Sequence, residues 1–431
     1  MDAHLTGAAS LRAPRVDKAL HVPAFRRFFI GSVISVPGNW MQMTAQAWLV
    51  LDMTGSPMAL AWVTTLQFLP IMLFSLLGGA VADRFPRRKL LMFTQIVGAA
   101  QAATLALIVA SGAVQMWHIL TLAAFLGLVT AIDHPVRQAF VADLVPLDAL
   151  PNGIALGAMS MNIGRVVGPA LGGVVLALSG PEAAFALNAC TFLIFAAALS
   201  QIRPAHGAGR PTGRKATLLG DVREGLVFAL STPALQVLLV ATGFIGMFGQ
   251  NFSTMVPLVA ELIVHATKAQ FGLLNSCLGI GSFLAALSLT RAGKPRPVRI
   301  LTAGLAFGLL LIAIARTDTL WLSCALFLAV GFSAVTFSTS VQTALQLLTP
   351  EHMRGRVASM VTLLIVGSSP IGALLTGLVA EQIAVWLSVA LNGVMCLAGI
   401  ALSARQILSL SRRGKLPRGW ARAETKAPAP T

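Results

Sequence analysis

The chain has no tyrosine, four cysteines and only 15 acidic residues in 431. Charged side chains are 11% of it against 56% hydrophobic, a balance too apolar for a soluble protein of this size. Cys190, Cys277, Cys324 and Cys396 each fall inside an apolar run without a partner at metal-ligand spacing. They read as small packing residues, not as a metal site or a disulfide framework. The histidines form no HExxH pattern, and no GxxxxGK[ST] loop is present, so neither a zinc hydrolase nor direct use of ATP is indicated. No clustered nucleophile or acid–base pair points to an enzyme. Residues 1–24 are polar and basic, unlike a cleavable signal, so the first apolar run reads as a retained span.

What the chain does have is apolar runs long enough to cross a bilayer, which takes roughly 20 helical residues. They lie near 28–51, 58–82, 89–111, 116–140, 152–179, 183–201, 233–260, 269–290, 298–315, 319–342, 355–380 and 384–404. Twelve spans are therefore expected. The net charge of +16 could be taken for a nucleic-acid-binding surface, but its distribution argues otherwise. With the amino terminus placed inside, all but Arg165, Lys268 and Arg316 of the 31 lysines and arginines fall in inside segments. The outside loops and span ends carry Asp52, Glu182, Glu261, Asp318 and Glu381. This is the positive-inside pattern, and it predicts cytoplasmic termini and no nucleic-acid partner.

The runs divide into two halves. A cytoplasmic amino-terminal tail (1–24) precedes a six-helix bundle over 25–201, and a second bundle over 233–408 precedes a basic tail over 409–431. The tail's cations suit anionic lipid headgroups. The linker over 202–232 opens as a flexible basic stretch, then places Leu218, Leu219, Val222 and Leu226 opposite Asp221 and Glu224, as in a helix lying on a membrane surface. The halves echo each other. Gln138 through Pro146 matches Gln342 through Pro350 at an offset of 204, and Pro169 matches Pro370 at 201. Duplicated units of this kind support alternating access.

Four features carry candidate chemistry. Between the second and third spans, Asp83, Arg84, Arg87, Arg88 and Lys89 crowd into a short turn with Pro86. The cations alone are explained by topology, whereas an acid within a basic cluster can hold the positive end of a neighbouring helix and release it. In the fifth span, Gly164, Gly168 and Gly172 clear one helix face for close approach, Gly173 adds to it, and Pro169 bends the helix at Arg165. Arg165 lies about 13 residues into its span, hence roughly 20 Å deep, so it should face protein or water. Asp133 lies at similar depth and is its expected partner, with Arg137 as a competing cation. The pair is either a permanent structural bridge or a switch that substrate or proton breaks. Finally, Asn39, Gln42, Gln46, Gln67, Gln250 and Asn251 are candidates to line a cavity, together with Ser253, Thr254, Ser338, Thr339 and Gln342. The alternative for each is helix–helix hydrogen bonding. Amides with Trp40 and Trp48 suit a sizeable, partly apolar ligand.

The run Gly79-x-Val81-Ala82-Asp83-Arg84-x-x-Arg87-Arg88 resembles the signature between the second and third helices of major facilitator superfamily transporters, with Pro86 where glycine is common. Gly164-x-x-x-Gly168-Pro169-x-x-Gly172-Gly173 is similar to that superfamily's antiporter signature, although Ala155 stands where a further glycine is usual. Residues 24–31, 38–49 and 137–141 extend the resemblance to the branch of the bacterial enterobactin exporter and related drug-efflux proteins. The resemblance covers about residues 25–405. It implies an all-α membrane protein of two pseudo-symmetric six-helix bundles, not an enzyme. It further implies proton-coupled efflux of a small molecule across a bacterial cytoplasmic membrane, with the proton gradient as energy source, no cofactor, and a monomer as the working unit. An importer on the same fold, or a non-transporting receptor or secretion accessory, are the alternatives.

Overall fold

The computed structural model describes residues 18–203, 224, 227–291, 293, 295–350, 353, 357, 360–361 and 363–412; within these, the side chains of 75–80, 83, 363 and 366 are not described. The surface helix expected over 218–226, most of the linker, most of the amino-terminal tail and nearly all of the carboxyl tail lie outside the described residues. The carboxylate of Asp83 does too.

The described chain is helical. Its helices are α1 (Pro23–Thr54), α2 (Pro57–Arg84), α3 (Arg87–Ala110), α4 (Met116–Leu144), α5 (Leu150–Ser200), α6 (Pro233–Phe244), α7 (Phe252–Leu262), α8 (Lys268–Arg291), α9 (Pro297–Ile314), α10 (Leu320–Leu348), α11 (Ser369–Gln382) and α12 (Val385–Arg412). Proline opens α1, α2, α6 and α9, where a missing amide hydrogen costs nothing. Ser56 caps α2 by accepting from the Ala59 amide at 3.1 Å.

These helices make twelve crossings. Nine segments among the described residues are long and apolar enough to span a membrane. One of them, α5, is two crossings joined without a loop: Gly180 takes φ 82° and ψ 173°, which a side chain would resist, and Pro181 restarts the helix. Helix α1 and the stretch ending in α11 supply the remaining two. The seventh and eleventh crossings are interrupted by π-helical turns at Ile245–Gly249 and Leu363–Gly367. These turns meet: a Cβ added at Gly246 would lie 2.5 Å from the Leu364 carbonyl oxygen. Irregular backbone at membrane depth survives where protein or a cavity surrounds it.

The first six crossings form one bundle and the last six another. They join along two seams, α5 against α8 and α2 against α11. Glycine removes the steric barrier on both. A Cβ on Gly173 would fall 1.9 Å from Gly272 Cα, and one on Gly377 would fall 2.4 Å from Ala61 Cβ. Thr65 Oγ1 donates to the Pro370 carbonyl at 3.2 Å, Thr254 Oγ1 to Thr64 Oγ1 at 3.1 Å, and Trp48 packs on Phe271 at 4.9 Å between ring centroids. Ser56 Oγ donates to Glu381 Oε2 at 2.9 Å. These contacts lie at mid-depth or toward the face remote from the chain ends.

Candidate functional site: a central cavity and its side chamber

A central cavity of about 1100 Å³, counted with its open mouth, lies between the bundles. The first bundle contributes Trp40, Met43 and Thr44 of α1, Phe68 of α2, and Arg165 and Pro169 of α5. The second contributes Gln250 and Phe252 at the break in the seventh crossing, Phe271, Asn275 and Ser282 of α8, Ser338 of α10, Ile365 within the second π turn and Ser369 just after it. The irregular backbone thus borders the cavity, where π turns are often placed.

The glycine ladder of α5 sets the cavity wall. Gly164 packs on Val36, Gly168 on Trp40 and Pro37, and Gly172 on Met41 and Thr44, so all three face α1. Gly173 points the other way, across the seam to Gly272. With α5 drawn onto α1, the Arg165 guanidinium comes to rest 5.5 Å from the centre of the Trp40 ring. A cation–π contact of this kind contributes about 0.5–2 kcal/mol, depending on how far water is excluded.

A side chamber of about 760 Å³, counted with its open mouth, is lined by the first bundle and shares Trp40, Met43 and Phe68 with the central cavity. Asn39, Gln67, Thr94, Gln95, Asp133, His134 and Arg137 line it. Asp133 is the hub. Its Oδ1 accepts from Thr94 Oγ1 and Gln95 Nε2, both at 2.7 Å, and its Oδ2 accepts from Arg137 Nη2 at 2.8 Å and Nε at 3.0 Å. Arg137 also donates to Ser32 Oγ at 3.2 Å and lies over the Phe195 ring.

Asp133 therefore pairs with Arg137 and not with Arg165. The two residues of the pair are one turn apart on α4, so they share a face automatically. Similar depth makes Arg165 the expected partner and Arg137 only a competitor; the structure reverses this, because Arg165 is turned toward Trp40 and the central cavity.

The amide candidates separate. Gln250 lines the cavity, and Asn39 and Gln67 line the chamber. Gln42 does neither: it is fully buried, donating to Gln101 Oε1 at 3.1 Å and accepting from Asn188 Nδ2 at 2.7 Å. Asn251 is also structural, accepting from Ser369 Oγ at 2.6 Å and donating to the Met247 carbonyl at 2.7 Å, which ties the broken seventh crossing to α11. Gln46 is buried, its carboxamide without a hydrogen-bond partner among the described residues. Thr94, Gln95, Asn275 and Ser282 were not expected. Asn275 and Ser282 stand seven residues apart, two turns on one helix face, which is the signal that could have found them.

In the turn after α2, Arg87 Nη1 donates to Asp143 Oδ1 at 2.8 Å, and Arg88 Nε donates to the Leu199 carbonyl at 2.9 Å. Arg84 is exposed. These two arginines clamp the ends of α4 and α5 within their own bundle.

Twelve crossings in two bundles around a central cavity define a membrane transporter of the major facilitator type. Within that class, residues 18–420 match the model of the transmembrane secretion effector family, and the chain belongs to it. The chain is 28% identical to the multidrug efflux pump Tap of Mycolicibacterium fortuitum over 80% of its own length and 86% of the relative's. It is 24% identical to the staphyloferrin A transporter of Staphylococcus aureus, over 85% and 92%. Its fold is similar to that of a bacterial homologue of the human lysosomal transporter Spinster in an inward-facing, occupied conformation, with a TM-score of 0.70 at 14% identity, over 91% of this chain and 98% of that one.

Proposed function

We propose that the protein exports small, partly apolar organic molecules from the bacterial cytoplasm by alternating access, driven by proton exchange, with both termini on the cytoplasmic side. The relatives include a drug efflux pump and a siderophore transporter, both named for small organic cargo. The cavity wall, with Trp40, Phe68, Phe252 and Phe271 among neutral polar groups, suits such a cargo.

The observation that carries the coupling is the shared wall. Asp133 sits in a chamber that shares Trp40, Met43 and Phe68 with the cavity. Protonation of Asp133 removes the charge that Arg137 is paired with. The freed guanidinium must find another partner, and the α3–α4 contact through Thr94 and Gln95 loosens. A few kcal/mol of differential interaction is enough to shift a two-state equilibrium. The seams between the bundles, tight toward the far face, fit a conformation whose cavity is reached from the side of the chain ends. Asp83, Arg84, Arg87 and Arg88 are assigned to the latch on that side.

The test is transport in inside-out membrane vesicles of a panel of anionic, neutral and cationic fluorescent organic molecules, with and without an uncoupler. Accumulation that collapses on uncoupling is expected for at least one of them. In Asp133→Asn, accumulation against a gradient should be lost while downhill exchange persists. Full coupling in that variant would rule Asp133 out as the proton site.

A further inference from the structure

The central cavity contains a cation that no described residue neutralises. Among the described residues, Arg165 is the one charged side chain lining it, and it makes no ion pair or hydrogen bond there; Trp40 is its neighbour. Arg137 offers the contrast, with Asp133, Ser32 and Phe195 around it. The polar residues that the other bundle contributes to the cavity lining, Gln250, Asn275 and Ser282 among them, are uncharged.

While the cavity is open, water solvates the guanidinium. When cargo fills the cavity that water leaves, and a charge at this depth without a partner is costly. A neutral cargo leaves the cost standing, and a cationic one adds repulsion. An oxyanion removes it, because the guanidinium fork donates two parallel hydrogen bonds to a carboxylate or to two oxygens of a sulfonate. Meanwhile the aromatic faces of Trp40, Phe68, Phe252 and Phe271 receive an apolar body.

We propose that the cavity takes an amphipathic organic anion, an apolar or aromatic body carrying a carboxylate, sulfonate or similar oxyanion, with Arg165 as its counter-ion. This rests on the central cavity being the transport site. It also explains why an empty carrier would resist closing: occlusion without an anion strands Arg165 in a dry site, whereas occlusion with one does not.

The experiment compares two probes that differ by one charged group, 8-anilinonaphthalene-1-sulfonate and N-phenyl-1-naphthylamine, binding to the full chain in phosphatidylcholine nanodiscs. The wild type is expected to bind the sulfonate at least about tenfold more tightly relative to the amine than protein-free nanodiscs do, a difference of about 1.4 kcal/mol. Arg165→Gln should lose sulfonate affinity about tenfold more than it loses amine affinity, with a melting curve verifying its fold, and Arg165→Lys should retain part of the preference. A wild type without the sulfonate preference overturns the proposal, and needs no variant to do so. So does an Arg165→Gln protein that keeps the preference. Added phosphatidylglycerol separates two sources of the anion: displacement of the sulfonate points to a lipid headgroup, and no displacement to a free organic anion. The underlying reading fails differently. Uncoupler-sensitive export of the amine without sulfonate preference removes the anion and keeps the transporter; sulfonate preference without uncoupler-sensitive flux of any panel member removes proton-driven export and keeps the site.

Discussion

Gly173 of the first bundle and Gly272 of the second touch backbone to backbone, so closely that a Cβ on Gly173 would lie 1.9 Å from Gly272 Cα. No flexible side chain stands between them to yield. A larger residue here must part the bundles along this seam or force helix backbone to move. Gly173→Leu is therefore expected to open the far face. Spin labels at Leu178→Cys and Ile383→Cys, both exposed at that end, should report a longer separation in the variant than in the parent.

On the second seam, Glu381 of α11 lies over the amino-terminal end of α2, accepting from Ser56 Oγ at 2.9 Å and the Met58 amide at 3.3 Å. A carboxylate at a helix amino terminus contributes about 0.3–1 kcal/mol at low ionic strength. Glu381→Gln should shift the far face toward its open state by about twofold to fivefold. The same label pair measures it, and high salt should shrink the difference between parent and variant.

Arg87 and Asp143 are paired at 2.8 Å, with side chains 22% and 10% exposed. Removing Arg87 strands a nearly buried carboxylate. Arg87→Ala should destabilise the protein by on the order of 2 kcal/mol, below the roughly 3–5 kcal/mol of a fully buried pair, because water still reaches the site. Adding Asp143→Asn should restore part of the loss. Thermal unfolding of the two single variants and the double variant, analysed as a cycle, checks this.

Gln42 and Gln250 were equivalent candidates as polar residues of apolar spans, and the structure separates them. Asn188→Leu cuts the Gln42 network and should cost about 0.6–1.7 kcal/mol of stability, the range for interhelical hydrogen bonds in membranes, while leaving the affinity of a retained ligand within twofold. Gln250→Ala should do the reverse, lowering affinity with little change in melting temperature. Paired binding and melting measurements distinguish the two.

The contrast between these glutamines shows what a sequence can and cannot say about such a protein. Span number, the break near Gly180 and the depth of Arg165 follow from run length, from glycine and proline chemistry, and from 1.5 Å of rise per residue. The direction in which a side chain points around its helix does not follow, because a uniformly apolar span carries no amphipathic stripe to set it. Hence depth matches Asp133 to Arg165, whereas rotation about α4 and α5 gives it to Arg137. The π turns were hidden for a related reason. Ile245 through Gly249 has nothing unsuited to an α-helix beyond its glycines, and the turn exists because Gly246 must pass the backbone at Leu364. Thr94 and Gln95 are two modest polar residues in a greasy span and carry no signal of their own, although together they supply half of Asp133's hydrogen bonds.

Gly180 joins the fifth and sixth crossings at a corner with no slack. A hinge of one residue cannot absorb displacement along the chain, so whatever tips the fifth crossing drags the sixth with it as a bell crank. Arg165 sits on one arm of that crank and Asn188, the anchor of the Gln42 network, sits on the other. A tilt of the first arm would thereby reach α1 twice, directly through Trp40 and again through the Asn188–Gln42 bond.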